Sequence, residues 1–197
     1  MDKMHVIWVF LWVLFGFVHS FLANNYIKSS LQKFFHLNMP AYRVGYNCIA
    51  VVSLCLLMYF HYRMSSPFFF TATFFSDVFS ALLMLTGGTM MVGSILKYFK
   101  QHSGLYLQSN IPALQTTGMH SAVRHPLYLG TLIFLAGVTL YWPMQKNILA
   151  FVIIFFYTLT GAWLEEKKLV KIFGSDYEKY QKKVPMLLPR LGTKKLK

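Results

Sequence analysis

Residues 124–166 read RHPLYLGTLIFLAGVTLYWPMQKNILAFVIIFFYTLTGAWLEE. Two apolar runs, 127–142 and 148–164, are separated only by PMQKN. Charge bounds them at their outer ends: Arg124-His125 before the first, Glu165-Glu166 after the second. Hydrocarbon offers no water to backbone N–H and C=O groups, so each run is expected to be a helix. Pro143 cannot continue a helix, and Asn147 can cap the next one. The pair therefore reads as a tight antiparallel hairpin, whose two charged ends come to the same membrane face.

Three further apolar runs, 4–22, 44–60 and 78–96, precede the hairpin. Of the 197 residues 56% are hydrophobic and 13% charged, where a soluble domain carries about 25% charged residues. The expected fold is an all-α membrane protein with about five transmembrane helices, a C-terminal helical hairpin and a cytoplasmic amphipathic tail. It is read as a single membrane domain over 1–197. Residues 1–99 form an N-terminal three-helix part, and 100–197 supply a loop, the hairpin and the tail. The loop is polar and contains Gly104, Pro112 and Gly118; a connection this long in a small membrane protein is usually functional. The N-terminal run is longer than a signal-peptide core, and no small-residue cleavage site follows it.

The net charge is +13. No nucleic-acid-binding motif accompanies it, and basic residues flanking apolar spans face anionic headgroups. With five spans and the C-terminus inside, 16 of the 19 Lys and Arg fall on the inner side, among them Lys28, Lys33, Arg43 and Arg124. Lys3, Arg63 and Lys146 fall outside. A multi-pass protein of a bacterial inner membrane with a cytoplasmic C-terminus is the expectation. Cys48 and Cys55 lie two turns apart on one helix, roughly 10 Å, too far for a disulfide. They read as small buried apolar residues, and no cysteine pattern suggests a metal site.

Residues 165–191, EEKKLVKIFGSDYEKYQKKVPMLLPRL, space Leu169, Ile172, Phe173, Tyr177 and Tyr180 as on an amphipathic helix. Gly174 and Ser175 can break it in two, with Ser175 or Asp176 capping the second part and Pro185 ending it. An interfacial helix accounts for the lysines but does not require paired glutamates at the membrane edge. With the hairpin closed, Arg124, His125, Tyr128, Glu165 and Glu166 converge beside hydrocarbon. Such a set suits a zwitterionic or sulfonium ligand: carboxylates for an ammonium or ribose hydroxyls, a guanidinium for a carboxylate, aromatic faces for a sulfonium. The plainer alternative is that Arg124 snorkels to headgroups and the glutamates pair with the tail lysines. His19, near the end of the first span, is either a substrate-side base or a hydrogen-bonded interfacial histidine. His5, His36 and His61 read as ordinary interfacial residues. Gly87, Gly88 and Gly93 are explained by close helix packing. No phosphate-binding glycine loop is present.

GMHSAVRHPLYLG at 118–130 followed by the tail at 165–191 resembles the C-terminal half of the integral-membrane methyltransferases. That group includes the isoprenylcysteine carboxyl and phospholipid methyltransferases. The shared pattern is R-H-P-x-Y-x-G, a hairpin, E-E-x-x-L, then F-G-x-x-Y-x-x-Y. HSFLANNYIKSSLQK at 19–33 and YRVGYN at 42–47 look like the methanethiol S-methyltransferase and nurim-like branch.

The resemblance implies S-adenosyl-L-methionine as methyl donor. It carries cofactor contacts onto Pro112, Ala113, Leu114, Gln115, His120, His125, Pro126, Leu127, Tyr128 and Glu165, although an aromatic is usual where His120 stands. Arg124 and Glu166 join the expected cofactor-binding set from the convergence of the hairpin ends. An arginine of the lipid-methylating relatives is replaced by Gly161, which points to a small or uncharged acceptor. A thiol must lose its proton to react, and His19 or His125 is the expected base. The implied function is transfer of a methyl group to a small or apolar thiol. Methylation of isoprenylcysteine or a phospholipid, and a non-enzymatic nurim-like scaffold, are the alternatives. The expected partners are a small-molecule or lipid-like methyl acceptor and the bilayer, with no nucleic acid.

Overall fold

The computed structural model describes residues 3–102 and 114–189, the side chains of 97–102 excepted. Seven α-helices occupy the described residues: α1 (Lys3–Ala23), α2 (Asn25–Phe34), α3 (Met39–Arg63), α4 (Phe74–His102), α5 (Pro126–Tyr141), α6 (Gln145–Phe173) and α7 (Ser175–Lys183). A 3-10 turn, Gly118–Ser121, precedes α5. The only β feature among them is a lone bridge between Phe68 and Met144. Four helices are long and apolar enough to cross a membrane: α1, α3, α4 over Phe74–Leu96, and α6. The apolar α5 is shorter, at 16 residues. Phe10, Phe17, Val51, Leu85 and Phe156 face outward, as side chains solvated by lipid do. The protein is a multi-pass, all-α membrane protein.

Two compact units divide the chain. The first holds Met1–Thr71 and Trp142–Ile153. Here Asn24 and Asn38 accept hydrogen bonds from Tyr26 and Ala41 backbone N–H groups, so that α2 and α3 each begin on an asparagine cap. Tyr42 donates to the Leu22 carbonyl, tying α3 to the end of α1. Trp8 and Trp12 are buried and pack against the His61 ring. The buried ammonium of Lys146 donates to the His61 and Met64 carbonyls, satisfying the C-terminal end of α3 with a cation.

The second unit holds Ala72–Ile95, α5, the part of α6 from Ile154 onward, and the tail. Glycines let α4 and α5 touch along their backbones. A Cβ on Gly87 would stand 2.4 Å from the Phe134 nitrogen; one on Gly137 would stand 2.8 Å from the Ser80 carbonyl. The last residue of R-H-P-x-Y-x-G, Gly130, is part of this crossing, its Cβ position 2.9 Å from that of Met90. The buried hydroxyls of Ser80 and Ser94 donate to carbonyls four residues earlier on α4, so neither is left unpaired in an apolar setting. Val123, Leu129, Leu132 and Leu187 form the core, with Phe155 and Leu159 of α6 packed against it.

Several expectations need correction. α6 begins at Gln145, so Asn147 lies inside the helix. Its amide instead donates to the Trp142 carbonyl, and its oxygen takes a hydrogen bond from His61. His61 is thereby a partly buried bonding residue. α6 also continues nine residues past Leu164 without a break. Gly174, at φ +55°, precedes α7, and no side chain caps that helix. Ser175 and Asp176 are its first two residues, so neither is the cap the sequence suggested. Cys48 and Cys55 are free and exposed on α3, not buried. Helix α2, polar over most of its length, was not expected.

Candidate functional site

The second unit gathers the two charged ends of the hairpin. His125 stands immediately before α5, whose first residue is Pro126; proline suits that position because its missing N–H has no helical partner there. Glu165 and Glu166 lie on the last turns of α6, beyond its apolar stretch. Adjacent helical residues point about 100° apart, so the two carboxylates have different surroundings.

Glu166 is buried and fully engaged. Its Oε1 accepts from Arg124 Nε at 2.5 Å and from His125 Nε2 at 3.2 Å, and its Oε2 accepts from Gln181 Nε2 at 2.9 Å. A carboxylate only accepts, so the hydrogen of His125 is on Nε2. Arg124 reaches further: its Nη1 donates to the Gln181 carbonyl at 3.1 Å and to the Val184 carbonyl. These carbonyls close the C-terminal end of α7, where a cation is favourable. The backbone continues the clasp, with Arg124 and His125 N–H groups donating to the Pro185 and Met186 carbonyls. Tyr180 donates to the His120 carbonyl at 2.5 Å, fastening the 3-10 turn to the same tail.

Glu165 differs. Its side chain is 46% exposed. Tyr128 donates to its Oε2 at 2.8 Å, and His125 Nδ1 lies 3.8 Å from the same oxygen. The His125 and Tyr128 rings stack, with centroids 5.4 Å apart and planes 9° from parallel. An accessible carboxylate, a phenol and a stacked imidazole thus stand together against a buried ion pair.

Tyr177 completes the surroundings. It is 1% exposed, in a cluster with Tyr180, Val184, Leu114, Leu169, Val170 and Phe173. Its hydroxyl has no hydrogen-bond partner among the described residues, which costs roughly 1–3 kcal/mol. Burial, reinforced by the charge of Glu166, pushes its ionisation well above the ordinary tyrosine range.

The structure therefore brings Arg124, His125, Pro126, Tyr128, Glu165 and Glu166 to one end of the hairpin. Leu114 packs by the tail, while His120 offers its backbone carbonyl to Tyr180. Leu127 points outward, and among the described residues Gln115 makes no hydrogen bond into the cluster. Pro112 and Ala113 lie outside the described residues. His19 belongs to the first unit, where its Nε2 lies 2.7 Å from the Tyr46 hydroxyl. Sequence reasoning missed Gln181 and the carbonyls of 181 and 184. The signal available for them was the tail's return past Pro185 toward the hairpin.

A model of the phospholipid methyltransferase family matches residues 75–176, which takes in α5 and both glutamates. The methanethiol S-methyltransferase of Pseudomonas deceptionensis is 33% identical over 128 residues, 59% of this chain and 47% of the relative. Methanethiol S-methyltransferase 1 of Bradyrhizobium diazoefficiens is 25% identical over 195 residues, 93% of this chain and 66% of the relative. The protein-S-isoprenylcysteine O-methyltransferase of Schizosaccharomyces pombe is 35% identical over 77 residues, 39% of this chain and 33% of the relative. The chain spans about half the length of the first of these relatives. No solved structure matches it.

Proposed function

This chain belongs to the phospholipid methyltransferase family, and from that premise we propose that it transfers a methyl group from S-adenosylmethionine to a small or apolar thiol. The observation that carries the reading is the division between the carboxylates. Glu166 is consumed by Arg124, His125 and Gln181, while Glu165 stays accessible beside Tyr128. A zwitterionic sulfonium nucleoside fits the accessible part: Glu165 takes an ammonium or ribose hydroxyls, and the stacked faces of His125 and Tyr128 suit a sulfonium. When bound, that cofactor supplies an electrophilic methyl group.

The chain's own residues do the rest. Arg124 and Glu166 hold His125 in one orientation and clasp the tail over the hairpin end, which keeps water from the reacting atoms. Of the expected cofactor contacts, we assign direct contact to Glu165, His125 and Tyr128, and a holding role to Arg124 and Glu166. The thiol must become a thiolate before it attacks. His125 is the imidazole of this site proposed to take that proton; His19, beside Tyr46 in the first unit, is the alternative base.

A small acceptor is supported by the relatives named methanethiol S-methyltransferase and by Gly161, which places no cation one turn before Glu165. We place the C-terminus in the cytoplasm of a bacterial inner membrane, on the distribution of Lys and Arg. The S. pombe relative favours a second reading, in which the acceptor is a prenylated cysteine. Purified protein given labelled S-adenosylmethionine with methanethiol, an isoprenylcysteine analogue or phosphatidylethanolamine separates these. Label in a volatile thioether is the expected result. Label in none of the three acceptors contradicts the enzyme reading and favours a scaffold.

A further inference from the structure

Three tyrosine hydroxyls surround the candidate site. Tyr128 donates to Glu165 and Tyr180 to the His120 carbonyl. Tyr177, the most deeply buried of them, has no acceptor among the described residues. Neither carboxylate of the site bonds it: Glu166 accepts from Arg124, His125 and Gln181, and Glu165 from Tyr128. A buried phenol without an acceptor needs an explanation. One is that its acceptor arrives with a ligand.

The surroundings limit what that ligand part can be. Leu114, Leu169, Val170 and Phe173 pack against the cluster that Tyr177 forms with Tyr180 and Val184, so its setting is apolar. The charges of Glu166, Arg124 and Glu165 all act on it, and with two carboxylates against one guanidinium there is no net positive charge to receive a carboxylate or phosphate as the guest. A flat, neutral ring with acceptor nitrogens on its edge meets both conditions: its faces lie against apolar side chains, and its edge takes one hydrogen bond.

We propose that Tyr177 is a binding residue for the purine of the methyl donor, its hydroxyl donating to a ring nitrogen. This rests on the methyltransferase reading and adds a residue and a role to it. Among the described residues this hydroxyl has no acceptor, and the nucleoside supplies one. Removal of that hydroxyl then acts in opposite senses on the empty and loaded protein, a pattern that a purely structural tyrosine does not produce.

The test uses the full-length protein in detergent, wild type and Tyr177→Phe, with S-adenosylhomocysteine as probe. Thermal unfolding is followed without the probe, and calorimetry gives its Kd. The empty variant is expected to unfold at no lower temperature than wild type, while the Kd rises about tenfold. Sinefungin, which shares the nucleoside, is expected to lose the same factor. An unchanged Kd, or a lower unfolding temperature for the empty variant, overturns the proposal while leaving the methyltransferase reading standing. Failure of wild type to bind the probe overturns both.

Discussion

Arg124 and Glu166, 42 positions apart, meet through Nε and Oε1 at 2.5 Å, with side chains 9% and 11% exposed. One arginine thereby joins the entrance of α5, the end of α6 and the end of α7. Two buried charges in contact gain little net stability over an apolar pair, but removal of one strands the other.

Arg124→Ala should therefore destabilise the protein by about 3 kcal/mol or more. It leaves Glu166 with only His125 and Gln181 and takes the donor from the Gln181 and Val184 carbonyls. Arg124→Met combined with Glu166→Leu should cost less than the single change. Thermal unfolding in detergent checks the order. Limited trypsin digestion should cut after Lys182 sooner in Arg124→Ala than in wild type.

The α4–α5 crossing gives a sharp contrast between glycines. Gly87→Ala puts a Cβ within 3 Å of the backbone of α5 and should lower the unfolding temperature substantially. Gly161→Ala meets nothing within 4 Å, and the added helix propensity should leave stability equal or slightly higher. Comparable losses in both variants would contradict the close crossing.

Tyr177 predicts an alkaline effect with a definite sign. Its folded ionisation lies above the ordinary value of 10.0. Above about pH 10 the unfolded chain gives up a proton that the folded protein keeps, so folded stability falls as pH rises, with no such loss below pH 10. The decline in unfolding temperature from pH 9.5 to 11 should be shallower in Tyr177→Phe than in wild type.

The spans were legible because lipid demands long apolar runs, and the hairpin because PMQKN leaves no room for another path. Helix α2 was not: residues such as Lys28, Ser29, Ser30, Gln32 and Lys33 read as a connection, since its pattern is short and mostly polar. The helix end at Gly174 was legible, but not that the last span and the first tail helix are one helix, because apolarity stops at Leu164 while Glu165–Phe173 keeps strong helix formers. The meeting of Arg124 with the glutamates was readable from the hairpin. Which glutamate it takes was not, since that depends on helical phase and on Gln181 returning from the tail.

The most direct test of the account is the affinity of S-adenosylhomocysteine for wild type and for Glu165→Gln, measured by calorimetry on full-length protein. Glu165 is accessible and holds no buried charge pair, so the variant should fold as wild type does. The account predicts micromolar-range binding by wild type, on the order of 1–100 μM, and a loss of at least about tenfold in the variant. Equal affinity in the two proteins, with both folded, would contradict it.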